Sequence, residues 1–211
     1  MSALLEKMNN YFKNPVKDPD TIQVAMMIAV YAHRKQMRVN EVPYINHPLG
    51  MVRHWIRLTM MEKYKINEEV MSDYHLPYRG VEEVIWLHDV VEDTEITHKD
   101  IEDIFKEYGY EEYFKTYIDE PLKLITHDKE IPYSDYIDLV MTHPTSALVK
   151  MIDICNNLDL FTLKDVGKKE VDRAISYIKY FKKINDKYNY VWAINGYCYE
   201  MKYWVDHDEE N

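Results

Sequence analysis

Apolar side chains return at helical spacing along almost the whole chain. In TIQVAMMIAVYAHRKQ (21–36), Ile22, Ala25, Met26, Ala29 and Val30 share one face, and Asp20 or Thr21 stands where an N-cap belongs. HPLGMVRHWIRLTMMEKY (47–64) carries Pro48 in its first turn and repeats apolar positions at 49, 52, 55, 56 and 60. YRGVEEVIWLHDVVED (78–93) predicts a third helix. THKDIEDIFKEYG (97–109) places Thr97 and Asp100 at capping-box spacing and stops at Gly109. Further helices are predicted over 111–119, 133–142, 144–158, 168–188 and 190–205. Alternating patterns between Asn-Gly or Asp-Gly turns are missing; the one such pair, Asn195–Gly196, sits inside a helical pattern. The expectation is an all-α bundle of roughly eight to ten helices, forming one domain over residues 1–211.

Composition narrows the picture without changing it. Five glycines against 12 methionines in 211 residues suit packed helices better than turn-rich sheets. No apolar run approaches the ~18 residues that span a bilayer, so no membrane association is expected. MSALLEKMNNYFKN lacks the basic and apolar regions of a signal peptide. Cys155 and Cys198 form no ligand pattern and fit a reducing cytoplasm. A net charge of −11 argues against a nucleic-acid partner, which needs a basic stripe. A small phosphorylated ligand would need local cations or a metal to offset the field.

The densest chemistry lies in WLHDVVEDTEIT (86–97), where one histidine and four carboxylates interleave with Trp86, Leu87, Val90 and Val91. On a continuous helix His88 stacks beside Glu92 and Asp89 beside Asp93. A solvated, capping role suits Asp93 and Glu95, but His88-Asp89 lies in an apolar setting where unpaired charge is costly. A divalent ion resolves that cost, and mixed N/O ligands suit Mn²⁺, Fe²⁺, Mg²⁺ or Zn²⁺. Partners come from YINHPLG, with His47 at a helix start, and from VKMIDICNNL, with Asp153 alone in an apolar run and Asn157 one turn on. Singly, His47 reads equally as a helix-cap histidine, and Asp153 as a partner of Lys150. Together, H…HD…D is far more specific than any piece.

HPLGMV, LHDVVEDT and KMIDICNNL resemble the motifs of HD-domain metal-dependent phosphohydrolases, and more narrowly those of RelA/SpoT-type alarmone hydrolases and the small stand-alone alarmone hydrolases. The likeness runs from about residue 21 to about 162 and includes AVYAHRKQMRVNEVPYINHP (29–48), leaving the helices of 168–205 outside it. It implies an HD-type hydrolase in which His47, His88, Asp89 and Asp153 ligate one divalent ion, usually Mn²⁺. It further implies that Glu92 and Asp93 position and activate the hydrolytic water, that Asn157 lies near the substrate ribose, and that Arg38 packs on the guanine. The implied reaction removes the 3′-pyrophosphate of guanosine tetra- or pentaphosphate, a nucleotide substrate of the stringent response. Arg34, Lys35, Arg38, Arg53 and Lys150 are candidates to neutralise its phosphates, each with the alternative of a solvated surface cation.

The chain also departs from that pattern. Val39 and Glu41 stand where the family has lysine and glycine, so base identity stays open, and Ile154 replaces an arginine. The segment 59–79 lengthens the interval between His47 and His88. The aromatic residues from Tyr177 to Tyr203 suit core packing, a homo-oligomer contact or base stacking. The leading expectation is therefore an alarmone hydrolase. The alternatives are an HD phosphohydrolase of another nucleotide or phosphoester, and a non-catalytic HD-fold binding protein, although no ligand or water-activating acid is missing.

Overall fold

The computed structural model describes residues 2–14, 16–38, 41–63, 79–159, 166–188 and 190. Among them are eleven helical segments and no strand, apart from one antiparallel bridge between Met37 and Pro43. None of these helices is long and apolar enough to cross a membrane. The expected all-α architecture is present. Of the 59–79 excursion, residues 64–78 lie outside the described residues, as does the helix expected over 190–205 apart from Tyr190.

Three helices are apolar on most sides and so lie at the centre. They are α2 (Thr21–Ala32), α4 (Val81–Leu87) and α10 (Pro144–Asn157). α2 packs on α4, and α3 (Asn46–Lys63) lies against both α4 and α10. Around them lie α1 (Ala3–Tyr11), α6 (His98–Glu107), α7 (Glu111–Tyr117), α8 (Asp119–Ile125) and α9 (Tyr133–Val140). Amphipathic α6 shows how the outer layer docks, burying Ile101, Ile104 and Phe105. The long α11 (Lys168–Tyr188) lies along α10 and leaves Val171, Ile175 and Ile178 exposed. Tyr188 and Tyr190 stack at 5.2 Å, and their hydroxyls donate to the Met141 and Pro144 carbonyls at 2.7 and 2.9 Å. Those two aromatics are core fasteners.

The helix starts follow the expected chemistry. Asp20 and Gln23 form a reciprocal capping box at 2.8 and 3.0 Å, and Thr97 and Asp100 form another at 3.2 and 2.9 Å. Gly109, at φ 84°, turns the chain after α6. One expected helix is different. The helix expected over 78–93 begins at Val81, stops at Leu87 and resumes as the single turn α5 (Val90–Asp93).

Candidate metal centre and cavity

The interruption falls on His88 and Asp89. His88 keeps helical angles, but Asp89 flattens to φ −99°, ψ −4°. The His88 ring folds back so that Nδ1 donates to the Ile85 carbonyl at 2.8 Å, which turns Nε2 towards the other polar groups. The continuous-helix stacking of His88 on Glu92 therefore gives way to a corner that turns His88 and Asp89 inward together. Their Nε2 and Oδ2 atoms are 2.9 Å apart.

His47, in the first turn of α3, and Asp153, near the end of α10, complete the group. His47 Nε2 lies 3.2 Å from His88 Nε2, 3.6 Å from Asp89 Oδ2 and 3.1 Å from Asp153 Oδ1. Both histidines are 4% exposed and Asp153 is 6% exposed. The His47, His88 and Asp89 donor atoms lie within 4.8 Å of one another, close enough to share one ion. A shared cation would satisfy two imidazole nitrogens and two carboxylates that converge this closely. The donor set fits a divalent metal.

Electrostatics agree. Burial alone would lower the His88 pKa, but Asp89 and then Asp153 outweigh it and raise it to about 9. Burial would raise both carboxyls, yet His88 holds Asp89, and Lys150 with His47 holds Asp153, well below the usual carboxylate range. The pocket is thus built to keep a positive charge between its acids.

Around this centre lies a cavity of about 410 Å³. Asp153 is its hub. Its Oδ2 takes Lys150 Nζ at 2.9 Å, and its Oδ1 accepts from Asn157 Nδ2 at 2.6 Å. Asn157 Oδ1 in turn accepts from Arg38 at 3.3 Å, so Arg38, Asn157 and Asp153 form one chain into the cavity. Burial would lower the Lys150 pKa, but Asp153 holds it well above its usual value, and the ammonium lies 5.4 and 5.7 Å from the Tyr136 and Tyr133 ring centres. Glu92 faces the same cavity, where its Oε2 accepts the His127 backbone N–H at 3.2 Å. Burial raises its pKa, and that hydrogen bond offsets the effect only in part.

Asp93, Arg34 and Lys35 lie elsewhere. They line a neighbouring cavity of about 720 Å³ between α1 and the start of α6, where Asp93 accepts from Gln36 at 3.4 Å. Arg34 is engaged there, donating to the Tyr31 carbonyl at 2.6 Å with its guanidinium 4.0 Å over the Tyr31 ring. Four contributors were not singled out from sequence: Tyr44, His127, Tyr133 and Asn156. Tyr44 donates to Asp89 and stacks on His33 at 4.5 Å. Its place three residues before His47 was the one available signal. His127, Tyr133 and Asn156 act through inter-helix packing, which leaves no periodic trace.

The helices and the corner at His88–Asp89 define an all-helical HD-type fold with a group able to bind a metal. A solved structure of a metazoan SpoT ortholog, described as hydrolysing ppGpp and playing a role in starvation responses, shares this fold with a TM-score of 0.55. The two chains are 20% identical over 88% of this chain and 98% of that one, a likeness of fold. No protein-family model and no curated protein matches the chain.

Proposed function

We propose that the chain is a metal-dependent phosphohydrolase of a nucleotide, and specifically that it removes the 3′-pyrophosphate of guanosine tetra- or pentaphosphate. The convergence of His47, His88, Asp89 and Asp153 at a cavity that the half-buried Glu92 also lines carries this reading. The activity of the metazoan SpoT ortholog, on a shared fold, supports the choice of substrate. His47, His88, Asp89 and Asp153 would hold one divalent ion, Mn²⁺ by the family resemblance, which when bound lowers the pKa of a water and polarises the attacked phosphoryl group.

The protein's own groups do the rest. Glu92 takes the proton from the attacking water, a role suited to a carboxylate whose pKa burial has raised. Lys150 and Asn157 fix both oxygens of Asp153, while Tyr44 orients Asp89. Arg38, anchored on Asn157, presents its guanidinium to the base or a phosphate at the cavity rim. Asp93 lies one residue beyond Glu92 and reaches the neighbouring cavity, so it serves through Gln36 and the loop it braces.

One observation favours a second reading, hydrolysis of another nucleotide or phosphoester. The RVNEV segment that would hold the base lacks the family lysine, and its Glu41 stands at φ 64°, a conformation that suits glycine. Incubation with Mn²⁺ and guanosine tetraphosphate should release GDP and pyrophosphate, and a panel of other nucleoside phosphates run in parallel separates the two readings. No turnover of any of them, or turnover undiminished in Glu92→Gln, sinks the proposal.

A further inference from the structure

His47 differs from His88 in how its ring is held. The Nδ1 of His88 is tied to a backbone carbonyl, a fixed acceptor that allows only one tautomer. The Nδ1 of His47 meets instead a side-chain amide, Asn156 Nδ2, at 2.8 Å. Asn156 is the penultimate residue of α10, three residues after Asp153. It is half-buried and wedged against α3. A β-carbon placed on Gly50 of α3 would lie 2.4 Å from Asn156 Oδ1 and 3.2 Å from its Cγ. Gly50 has ordinary helical angles, so what it provides there is room.

We propose that Asn156 is the positioning residue of the His47 ligand, with Gly50 leaving the space in which its amide sits and can turn. The inference rests on the metal reading of the site. In the arrangement described, the amide NH₂ donates to Nδ1, and Nε2 faces Asp153 Oδ1 at 3.1 Å. To ligate an ion, Nε2 must present its lone pair, and the ring N–H is then at Nδ1. A half-turn of the Asn156 amide then presents its oxygen to Nδ1–H. A carbonyl or carboxylate could serve only the second state, and an ammonium only the first. An amide serves both, because it carries a donor and an acceptor on the same pivot.

Two substitutions and a direct binding measurement test this. Asn156→Leu keeps the size and removes both hydrogen-bonding functions, while Asn156→Asp keeps the acceptor that the ion-bound state requires. Mn²⁺ binding, followed by the electron paramagnetic resonance signal of the free ion, should weaken roughly 10–100-fold in Asn156→Leu. It should stay within a few-fold of wild type in Asn156→Asp. Nitrogen-15 spectra of the His47 ring should show its proton on Nδ1 in the Mg²⁺-loaded wild type. A folded Asn156→Leu that binds Mn²⁺ as tightly as wild type overturns the assignment. If the leucine disturbs packing, Asn156→Asp decides, and a loss of affinity there overturns it equally. Wild-type protein that takes up no Mn²⁺ overturns the metal reading and this inference with it, so the two failures are distinguishable.

Discussion

Lys150 and Asp153 form a buried ion pair, Nζ to Oδ2 at 2.9 Å, with side chains 12% and 9% exposed. They sit one turn apart on α10, and the same carboxylate turns its other oxygen to His47. Lys150 is therefore an internal counter-charge for the proposed ligand set, whatever it also offers a substrate. Removing one partner of such a pair leaves an uncompensated buried charge, which costs about 3–5 kcal/mol.

That sets the first prediction. Lys150→Met should lower the unfolding free energy of the metal-free protein by about 3–5 kcal/mol in urea melts. Saturating Mn²⁺ should restore a large part of it, because the ion supplies the missing charge and binds only the folded state. Equal Mn²⁺-induced shifts in variant and wild type would contradict this role.

Glu92→Gln should reduce turnover about 10²–10⁴-fold with Mn²⁺ affinity retained. The sign of its pH dependence follows from its environment. Burial raises the Glu92 pKa above 4.5, and the base works only when deprotonated. Activity should thus fall as pH drops through that raised value, giving an acid limb above the ordinary glutamate range that vanishes in the glutamine variant. Profiles of kcat/KM against pH provide the check.

Asp93→Asn should have a much milder effect than Glu92→Gln, because Asp93 faces Gln36 and the neighbouring cavity. Equal losses in the two variants, under matched Mn²⁺, would show that both carboxylates reach the water.

Gly50→Ala forces a β-carbon into the Asn156 amide. Overpacking of this kind costs about 1–3 kcal/mol, readable in thermal melts. The variant should also bind Mn²⁺ more weakly, whereas an alanine at exposed Leu49 should do neither.

Much of the fold was legible because α2, α6, α10 and α11 carry unbroken helical periods and their caps obey local chemistry. Two helices went unread. α1 is a short surface helix anchored mainly by Leu5 and Met8, and α8 contains Pro121, which reads as a breaker although a first-turn proline has no intrahelical N–H to lose. His47, His88, Asp89 and Asp153 stood out because each interrupts an apolar stretch, where a polar group needs a reason. The placement of Glu92 and Asp93 relative to His88 and Asp89 was hidden, since a helical wheel assumes the continuity that the chain abandons at Asp89. Tyr44 and Asn156 were hidden for another reason: their partners lie 45 and 109 residues away.

The corner at His88–Asp89 also bears on how such a protein diversifies. α5 is one turn long, joined to what precedes it by the bond from Asp93 N–H to the Asp89 carbonyl and closed by Thr94 on the Val90 carbonyl. Its direction is set by neighbours such as His127 rather than inherited from α4. Shifts of the backbone around His127 can re-aim Glu92 while the residues proposed to bind the ion stay in place. The chain thus separates what must be kept from what can drift, and a lineage could change its substrate without rebuilding its centre.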